Sequence, residues 1–405
     1  MNWDFLIKDK ESLSVSTDTR NLPAGCVYFA LRGETFDGNK FAKQALENGA
    51  SLAVIDNPEY ALPEGTLLVP NTLLALQDLA RAWRRELGLP VIGITGTNGK
   101  TTTKELMATV LSTQYNIHYT QGNLNNQIGV PLTLLQITRA HEMAIVEMGA
   151  SHPGDIKELV DIAEPNYGLI TNVGRAHLQG FGSFEGVQQT KRELYDYLVA
   201  HEGIIFRNAD NPYLEKMLLS ACENSKFKIQ NSKLYTTGVM PCGTNLVGSY
   251  NAENVSAAIC VGEHFGIARE QALEAIRQYV PTNKRSQFMQ TPKNKLVVDA
   301  YNANPTSMFA SINAFEGDTF ILGEMKELGD YAHLEHQNIV NMLAERKATQ
   351  VYLVGKEWMQ TTAPYACFQD VAELREFILS HPIQNAHILL KGSRGVQLEK
   401  IIDLL

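Results

Sequence analysis

A glycine-rich segment that ends in lysine and threonine carries the strongest chemical signal in this sequence. It consists of Gly96, Thr97, Asn98, Gly99, Lys100, Thr101 and Thr102. An apolar run at residues 91–95 precedes it and a helical pattern at residues 103–113 follows it. In a strand, loop and helix of this kind, backbone N–H groups cradle phosphates, lysine reaches the outer phosphates and threonine ligates magnesium. The segment therefore predicts an ATP site with Mg²⁺.

The spacing of this motif departs from the strict phosphate-loop pattern, because Ile94 stands where that pattern has its first glycine. The alternative interpretation is a glycine turn with a solvated lysine. The flanking strand and helix favour the phosphate site.

Glu147 is the candidate carboxylate for the metal. It lies in the apolar strand predicted at residues 143–148, where a parallel sheet presents its ligands. A glutamate at a strand end is also often only solvated, so position alone leaves both interpretations open.

These groups require parallel sheets, and the chain divides into three regions that supply them. The first region predicts the strands 26–31 and 51–55 and the helices 41–48 and 72–87. The second predicts strands at 91–95, 143–148, 169–173 and 203–206. The third begins near residues 281–284 and predicts strands at 296–298, 319–322, 351–354 and 388–390. We expect an α/β fold with a small substrate domain (1–88), a central phosphate-loop ATPase domain (89–281) and a Rossmann-like doubly wound domain (282–405).

Composition excludes several classes of protein. The chain has 405 residues, and 44 acidic against 35 basic residues give a net charge of -9, which argues against a nucleic-acid partner. The five cysteines form no C-x-x-C pair, which disfavours a zinc site and a disulfide framework. No apolar run is long enough for membrane insertion. The N-terminus lacks a secretory pattern, so we expect a cytoplasmic protein.

Several segments resemble the Mur ligases of bacterial cell-wall synthesis in order and spacing. They are residues 95–102, 123–131 and 147–149, the family's metal-binding histidine segment at 171–178, and its carbamylated-lysine segment at 191–193. Residues 299–305, 322–329 and 391–393 resemble the members that add D-alanyl-D-alanine, and residues 19–20, 29–33 and 36–38 resemble the domain that binds the UDP-linked muramoyl peptide. The sequence departs from the family at Asn39, Cys26 and Tyr250.

The resemblance implies an ATP-dependent amide-bond ligase that acts through an acyl phosphate. Its expected partners are ATP, UDP-N-acetylmuramoyl-tripeptide and D-alanyl-D-alanine, and we expect a monomer. The implied catalytic residues are Lys100, His177 and Lys191. The implied metal ligands are Thr101, Glu147, His177 and Lys191, the last as a carbamate. Besides the loop, the implied nucleotide-binding residues are Asn251, Asn254, Arg285 and Asp299. The implied substrate-binding residues are Thr19, Arg20, Arg32, Gly33, Asp37, Asn123, Asn125, Asn126, Tyr301, Asn302, Asn304 and Ser307.

Each of these residues also has a plainer interpretation. A histidine such as His177 after a strand is usually a packing or capping residue, and Lys191 on a polar helix would be a solvated charge. One of Asn251 and Asn254 could be a helix N-cap. The polar loop at residues 302–307 could be only a turn. For the whole chain, the alternatives are another Mur ligase, a folylpolyglutamate synthetase, or a nucleotide-binding protein without catalytic activity.

Overall fold

The protein is described from a computed structural model, which describes residues 2–223, 225, 232–282 and 285–405. Three β-sheets of four, six and six strands lie within these residues. Residues 283–284, at the expected start of the third region, lie outside the described residues. Within the described chain, no helix is both long and apolar enough to cross a membrane.

The first sheet is small and parallel, with strand order β1-β2-β3-β4. Its region contains α1 (Asp4–Ile7), β1 (Val15–Ser16), β2 (Val27–Phe29), α2 (Ala42–Glu47), β3 (Leu52–Ile55), β4 (Thr66–Leu68) and α3 (Thr72–Leu87).

The central sheet is also parallel, with strand order β10-β9-β8-β5-β7-β6. Its strands are β5 (Val91–Thr95), β6 (Ile117–Tyr119), β7 (Met143–Glu147), β8 (Tyr167–Ile170), β9 (Ile204–Asn208) and β10 (Lys233–Tyr235). Its helices are α4 (Lys100–Leu111), α5 (Gly129–Leu135), α6 (Asp155–Ala163), α7 (Leu178–Phe181), α8 (Phe184–Ala200), α9 (Pro212–Cys222), α10 (Asn251–His264) and α11 (Arg269–Gln278). Because the strands are parallel, their carboxyl ends meet at one edge, where ligand sites of such sheets lie.

The third sheet has strand order β11-β12-β16-β13-β14-β15, and only its edge strand β11 pairs antiparallel. Its strands are β11 (Gln287–Gln290), β12 (Lys295–Asp299), β13 (Thr319–Gly323), β14 (Gln350–Val354), β15 (Ala366–Phe368) and β16 (His387–Lys391). Its helices are α12 (Pro305–Ala314), α13 (Ala332–Glu345) and α14 (Val371–Ser380). This is the doubly wound α/β pattern that the sequence predicts.

Most predicted elements differ from the structure by one or two residues at their ends, and two of the differences bear on the site. The helix expected at 103–113 is α4, which begins three residues earlier, because Gly99 at φ 79° turns the phosphate loop directly into the helix. The strand expected at 169–173 is β8, which ends at Ile170 and leaves Asn172 in a loop. The predicted bounds of α3 and β5 are correct.

Helix α3 joins the first region to the central one. Trp83 is fully buried and its Nε1 donates to the carbonyl of Ile137 at 2.9 Å. Arg84 is also buried, and its guanidinium donates to the carbonyls of Ala163 and Glu164 and to the side chain of Asn166 at 2.8–3.1 Å. One apolar core therefore runs from the first sheet through α3 to the central sheet.

We predict that Arg84→Ala lowers the free energy of unfolding by about 2–4 kcal/mol, because it leaves several buried acceptors without a donor. The matched control is Arg85→Ala. Arg85 is largely exposed and pairs with Glu164, so its loss should cost less than about 1 kcal/mol. Urea or thermal unfolding followed by circular dichroism measures both variants. Equal destabilisation would contradict this account of the α3 interface.

Candidate active site

The phosphate loop lies between β5 and α4, and its conformation requires glycine at two positions. Gly96 has φ +143°, and a Cβ there would lie 2.0 Å from Thr171 Oγ1. Gly99 has φ +79°, and a Cβ there would lie 2.4 Å from Asn254 Oδ1. The Lys100 Nζ folds back over the loop and donates to the carbonyls of Gly96 at 2.7 Å and Thr97 at 3.1 Å. The predicted loop is thus a tight turn with its ammonium group above it.

The segment after β8 fixes this loop from the side. The Thr171 hydroxyl donates to the carbonyl of Asn98 at 2.6 Å, and Asn172 Oδ1 accepts from the Asn98 N–H at 3.0 Å. The Thr97 N–H donates to the carbonyl of Asn172 at 2.9 Å. The sequence assigned no role to Thr171 or Asn172, although both lie in the segment 171–178 that resembles the family. Both fell inside the strand predicted at 169–173, so their place in a loop beside the phosphate loop was missed.

Glu147 ends β7 beside the loop and is almost fully buried. One carboxylate oxygen accepts from the Thr101 hydroxyl at 2.9 Å and the other accepts from the Asn125 amide at 2.9 Å. A hydroxyl and a carboxylate are oxygen ligands of the kind that Mg²⁺ prefers. The residues present therefore fit a magnesium ion at this position.

Burial lowers the pKa of Lys100 to about 8, while Glu147 raises it and Arg285 lowers it further. The same loss of hydration acts more strongly on Lys191, which is 2% exposed. Burial, together with repulsion from Lys100, holds the pKa of Lys191 well below its usual range. Its Nζ lies 5.5 Å from the centre of the Phe181 ring. The interpretation of Lys191 as a solvated charge is therefore wrong.

His177 lies at the start of α7 with a left-handed backbone (φ 50°, ψ 36°) and lines the cavity. Its Nδ1 contacts the carboxylate of Glu327, and this contact lowers the pKa of Glu327. The imidazole thus connects the central region to the third one.

The side-chain amides of Asn251 and Asn254, the candidate nucleotide-binding pair, are largely occupied by each other and by the fold. Asn254 Nδ2 donates to Asn251 Oδ1 at 2.9 Å, and Asn254 Oδ1 accepts from the Thr103 hydroxyl at 3.0 Å. Asn251 Nδ2 donates to the carbonyl of Val247 at 2.8 Å. The N-cap position of α10 is Tyr250, so neither asparagine is the N-cap. Both line the cavity, and their nucleotide contact stays a prediction.

The third region contributes a cluster of cations around an aromatic ring. The guanidinium carbon of Arg285 lies 3.9 Å from the centre of the Tyr301 ring, and that of Arg394 lies 5.5 Å from it. Asp299 contacts Lys391, which is 1% exposed, and also accepts from Ser311.

The polar loop after β12 caps the following helix. Asn304 Oδ1 accepts from the Ser307 N–H at 2.9 Å and the Ser307 hydroxyl accepts from the Asn304 N–H at 3.1 Å, which forms the capping box of α12. The Asn304 amide also donates to Asn98 Oδ1 at 2.8 Å, so the loop touches the phosphate loop. Asn302 uses its oxygen to accept from the Ala303 N–H.

A cavity of about 730 Å³ brings most of these groups together, but Gly96, Lys191 and Asn304 are not among the residues that line it. The predicted residues that line it are Thr97, Asn98, Gly99, Lys100, Thr101, Thr102, Asn123, Asn125, Asn126, Glu147, His177, Asn251, Asn254, Arg285, Asp299, Tyr301, Asn302 and Ser307. Among the described residues, none before position 89 lines this cavity. Its volume lies within the ordinary range of ligand sites.

The residues predicted to bind the UDP-linked muramoyl peptide in the first region lie apart from this cavity. Arg32 Nε donates to Asp56 at 2.7 Å, and Asn39, which is fully buried, donates to both Asp37 and Asp56. Arg20 is exposed and pairs with its neighbour Asp18. Thr19 adjoins Arg20 and Gly33 adjoins Arg32, and both lie outside the helices and strands.

The fold and the site define a nucleotide-binding α/β enzyme with a phosphate loop, a buried carboxylate beside it and a second α/β unit closing the cavity. Three family models match: the Mur ligase family catalytic domain (13–84), the Mur ligase middle domain (94–262) and the Mur ligase glutamate ligase domain (284–394). The chain belongs to the Mur ligase family.

The relatives agree along nearly the whole chain. The UDP-N-acetylmuramoyl-tripeptide--D-alanyl-D-alanine ligase of Bacillus subtilis is 34% identical over 96% of this chain and 92% of the relative. The crystal structure of MurF from Acinetobacter baumannii is 29% identical, with a TM-score of 0.83 over 96% of this chain and 92% of that one. MurF ligase from Thermotoga maritima, solved in complex with ADP, is 24% identical and shares the fold, with a TM-score of 0.84 over 98% of each chain.

We predict that Gly96→Ala weakens the binding of a non-hydrolysable ATP analogue by at least about tenfold, because the new Cβ collides with Thr171 and displaces the loop. Gly88→Ala is the control. Gly88 also has a positive φ, but a Cβ added there would have nothing within 4 Å, so this variant should lose about 1 kcal/mol of stability and keep its affinity. Isothermal titration calorimetry measures the affinity of each variant for the ATP analogue. An unchanged affinity of the Gly96 variant would refute the loop assignment.

Proposed function

We propose that this chain is an ATP-dependent ligase of the MurF type that joins D-alanyl-D-alanine to UDP-N-acetylmuramoyl-tripeptide in bacterial peptidoglycan precursor synthesis. The observation that carries this proposal is the shared cavity. The phosphate loop and Glu147 come from the central region, and Tyr301 and Asn302 come from the third region. Full-length similarity to a ligase of that name supports the choice of substrates.

The reaction places three demands on this cavity. A carboxylate oxygen of the tripeptide attacks the γ-phosphorus of ATP, and the bond to ADP breaks, which gives an acyl phosphate. The amine of D-alanyl-D-alanine then attacks the acyl carbon, loses a proton and expels phosphate, which leaves an amide. The cavity must therefore bind phosphates, keep water from the acyl phosphate and hold the acceptor amine near it.

The amides at the start of α4 and Lys100 would meet the first demand. The N–H groups of Thr97 and Asn98 already donate to Asn172, so the phosphates would be bound by the N–H groups at the start of α4, and Lys100 would place a positive charge on the outer ones. Arg285 supplies a second positive charge from the third region. Asn251, Asn254 and Asp299 are our candidates for holding the rest of the nucleotide.

Thr101 and Glu147 are the proposed ligands of Mg²⁺. His177 is proposed to ligate a second magnesium ion or to position phosphate, and a carbamylated Lys191 is a further proposed metal ligand. When bound, the ion neutralises charge on the phosphoryl oxygens. Lys191 supports this assignment only in modified form, because an ammonium would repel a cation and a carbamate offers two oxygens. Its burial and lowered pKa favour the neutral amine that captures carbon dioxide.

The closing contacts between regions support exclusion of water. The Arg175 guanidinium donates to the Glu335 carboxylate at 3.0 Å, and the Arg175 backbone N–H donates to the Thr306 hydroxyl at 3.1 Å. Together with the Asn98 to Asn304 hydrogen bond, they bring the third region against the phosphate loop. A closed cavity protects an acyl phosphate from hydrolysis.

The UDP end of the muramoyl substrate is assigned to the first region, through Thr19, Arg20, Arg32, Gly33 and Asp37. The peptide end is assigned to the central cavity, through Asn123, Asn125 and Asn126. Functional boundaries at 1–88, 89–281 and 282–405 remain part of the proposal, and each sheet lies within one of these ranges. The monomeric state and the cytoplasmic location stay predictions.

We expect the purified chain to release phosphate and form the amide product only when ATP, Mg²⁺, UDP-N-acetylmuramoyl-tripeptide and D-alanyl-D-alanine are all present. Phosphate release with mass spectrometry of the product measures this. Glutamate, diaminopimelate and lysine are the control acceptors. Lys100→Ala should raise the activation free energy by about 3 kcal/mol. Product with one of the control acceptors, and none with the dipeptide, would sink the proposal.

We predict that Lys191→Ala lowers kcat by about 100-fold or more, because it removes a ligand that acts on the transferring phosphoryl group. Short carboxylates such as acetate should restore part of the activity, since they replace the carbamate oxygens. Lys157→Ala is the control, because the Lys157 side chain is exposed and its ammonium pairs with Asp161 on the surface. The wild type should show a carbamate signal in ¹³C NMR with labelled bicarbonate. Full activity of the Lys191 variant and no such signal would reject carbamylation.

A further inference from the structure

Arg394 is a cation in the cavity to which the nucleotide chemistry assigns no task. It is exposed, lines the cavity and lies against the ring of Tyr301. Within residues 2–223, 225, 232–282 and 285–405, no carboxylate lies within ion-pair distance of it and its guanidinium makes no hydrogen bond. A guanidinium in this position is able to bind an anion through two parallel N–H donors.

The turn that carries Arg394 is held firmly. Ser393, its neighbour, accepts from the Lys326 N–H at 3.0 Å through its hydroxyl and donates its own N–H to the carbonyl of Glu324. Gly392 packs so closely on Gly323 that a Cβ there would lie 2.8 Å from the Gly323 Cα. A binding group is most selective when its backbone is fixed in this way.

The other two C-terminal cations of the cavity already have tasks. Lys391 is buried and contacts Asp299. Arg285 is the guanidinium closer to the Tyr301 ring, at 3.9 Å against 5.5 Å for Arg394, and it is assigned to the phosphates. Arg394 is left for an anion other than the triphosphate.

The acceptor of the proposed reaction brings such an anion. D-alanyl-D-alanine carries its nucleophilic amine at one end and a free carboxylate at the other, about 7 Å away along an extended dipeptide. While the amine reaches the acyl phosphate, the carboxylate enters the same cavity and loses part of its hydration, which is costly without a cation.

We propose that Arg394 binds the C-terminal carboxylate of the dipeptide acceptor and thereby selects acceptors that end in a free carboxylate. This inference rests on the proposed function, since it names a contact of the same reaction. It assigns a specificity role to a residue of the loop after β16, which lies next to the loop after β12 that carries Tyr301 and Asn302.

The experiment compares two acceptors with two variants. The acceptors are D-alanyl-D-alanine and D-alanyl-D-alaninamide, which lacks the negative charge. The variants are Arg394→Gln and Arg394→Lys. Arg269→Ala is the control, because Arg269 is an exposed arginine on α11 outside the cavity. Phosphate release at saturating ATP and muramoyl substrate gives kcat and KM for each acceptor.

We expect the wild type to prefer the free dipeptide by about tenfold or more in kcat/KM, as a charge-assisted bidentate contact requires. Arg394→Gln should lose about tenfold with the free dipeptide, mainly in KM, and stay within about twofold with the amide. For this variant, the ratio of kcat/KM for the free dipeptide to kcat/KM for the amide then falls to nearly one. Arg394→Lys should retain part of the preference, and Arg269→Ala all of it.

Each contrary outcome has a distinct meaning. The inference is overturned, and the proposed function stands, if Arg394→Gln keeps the wild-type preference for the free dipeptide. The same holds if kcat/KM falls equally with both acceptors while KM for ATP rises. If the wild type releases no phosphate with the free dipeptide, the proposed function fails and the inference with it. Thermal unfolding and affinity for an ATP analogue verify folding. Should Arg394→Gln not fold, the preference of Arg394→Lys decides, because an unchanged value contradicts a bidentate contact.

Discussion

The close approach of β5 and β8 at their carboxyl ends is the constraint on which the site depends. Thr95 pairs with Ile170 in the ladder, so the next residues of both strands leave the sheet side by side. Gly96 can then pass within van der Waals contact of Thr171 only because it has no side chain. The backbone hydrogen bonds between the two loops follow from this contact, and they set the direction in which α4 begins. A bulkier residue at either position would shift the phosphate-binding amides and the ammonium group together.

The neighbouring strand β7 completes the arrangement from the other side of β5. Glu147 is held by the Thr101 hydroxyl and by Asn125, so its two oxygens have a fixed orientation before any ligand binds. Three adjacent parallel strands thus place an ammonium, a hydroxyl and a carboxylate at one edge. In a protein with a net charge of -9, the positive charge that phosphates need is local and depends on this edge.

The local patterns of the sequence were sufficient for much of the fold. The apolar run of β5 and the amphipathic α3, with its terminal Gly88, have the predicted bounds because short-range periodicity and capping determine them. The phosphate loop was found for the same reason. The burial of Lys191 was not predictable, because its helix is polar in sequence and only packing on Phe181 and α6 hides that face. The role of Thr171 depends on contact between strands far apart in sequence, and no local pattern records it. The Asn304 and Ser307 capping box shows that a polar loop can position a helix while it also lines a site.

The third sheet links the nucleotide side of the cavity to the acceptor side. Asp299 and Lys391 pair in the ladder between β12 and β16, so the loops after these strands leave the sheet side by side. One loop carries Tyr301 and the other carries Arg394, while Arg285 approaches the same ring from the residues before β11. If this sheet moved toward the phosphate loop, both guanidinium groups would come with it. Phosphoryl transfer and acceptor binding would then share one closing motion, because the charge that stabilises the first and the charge that holds the second are fixed to the same edge.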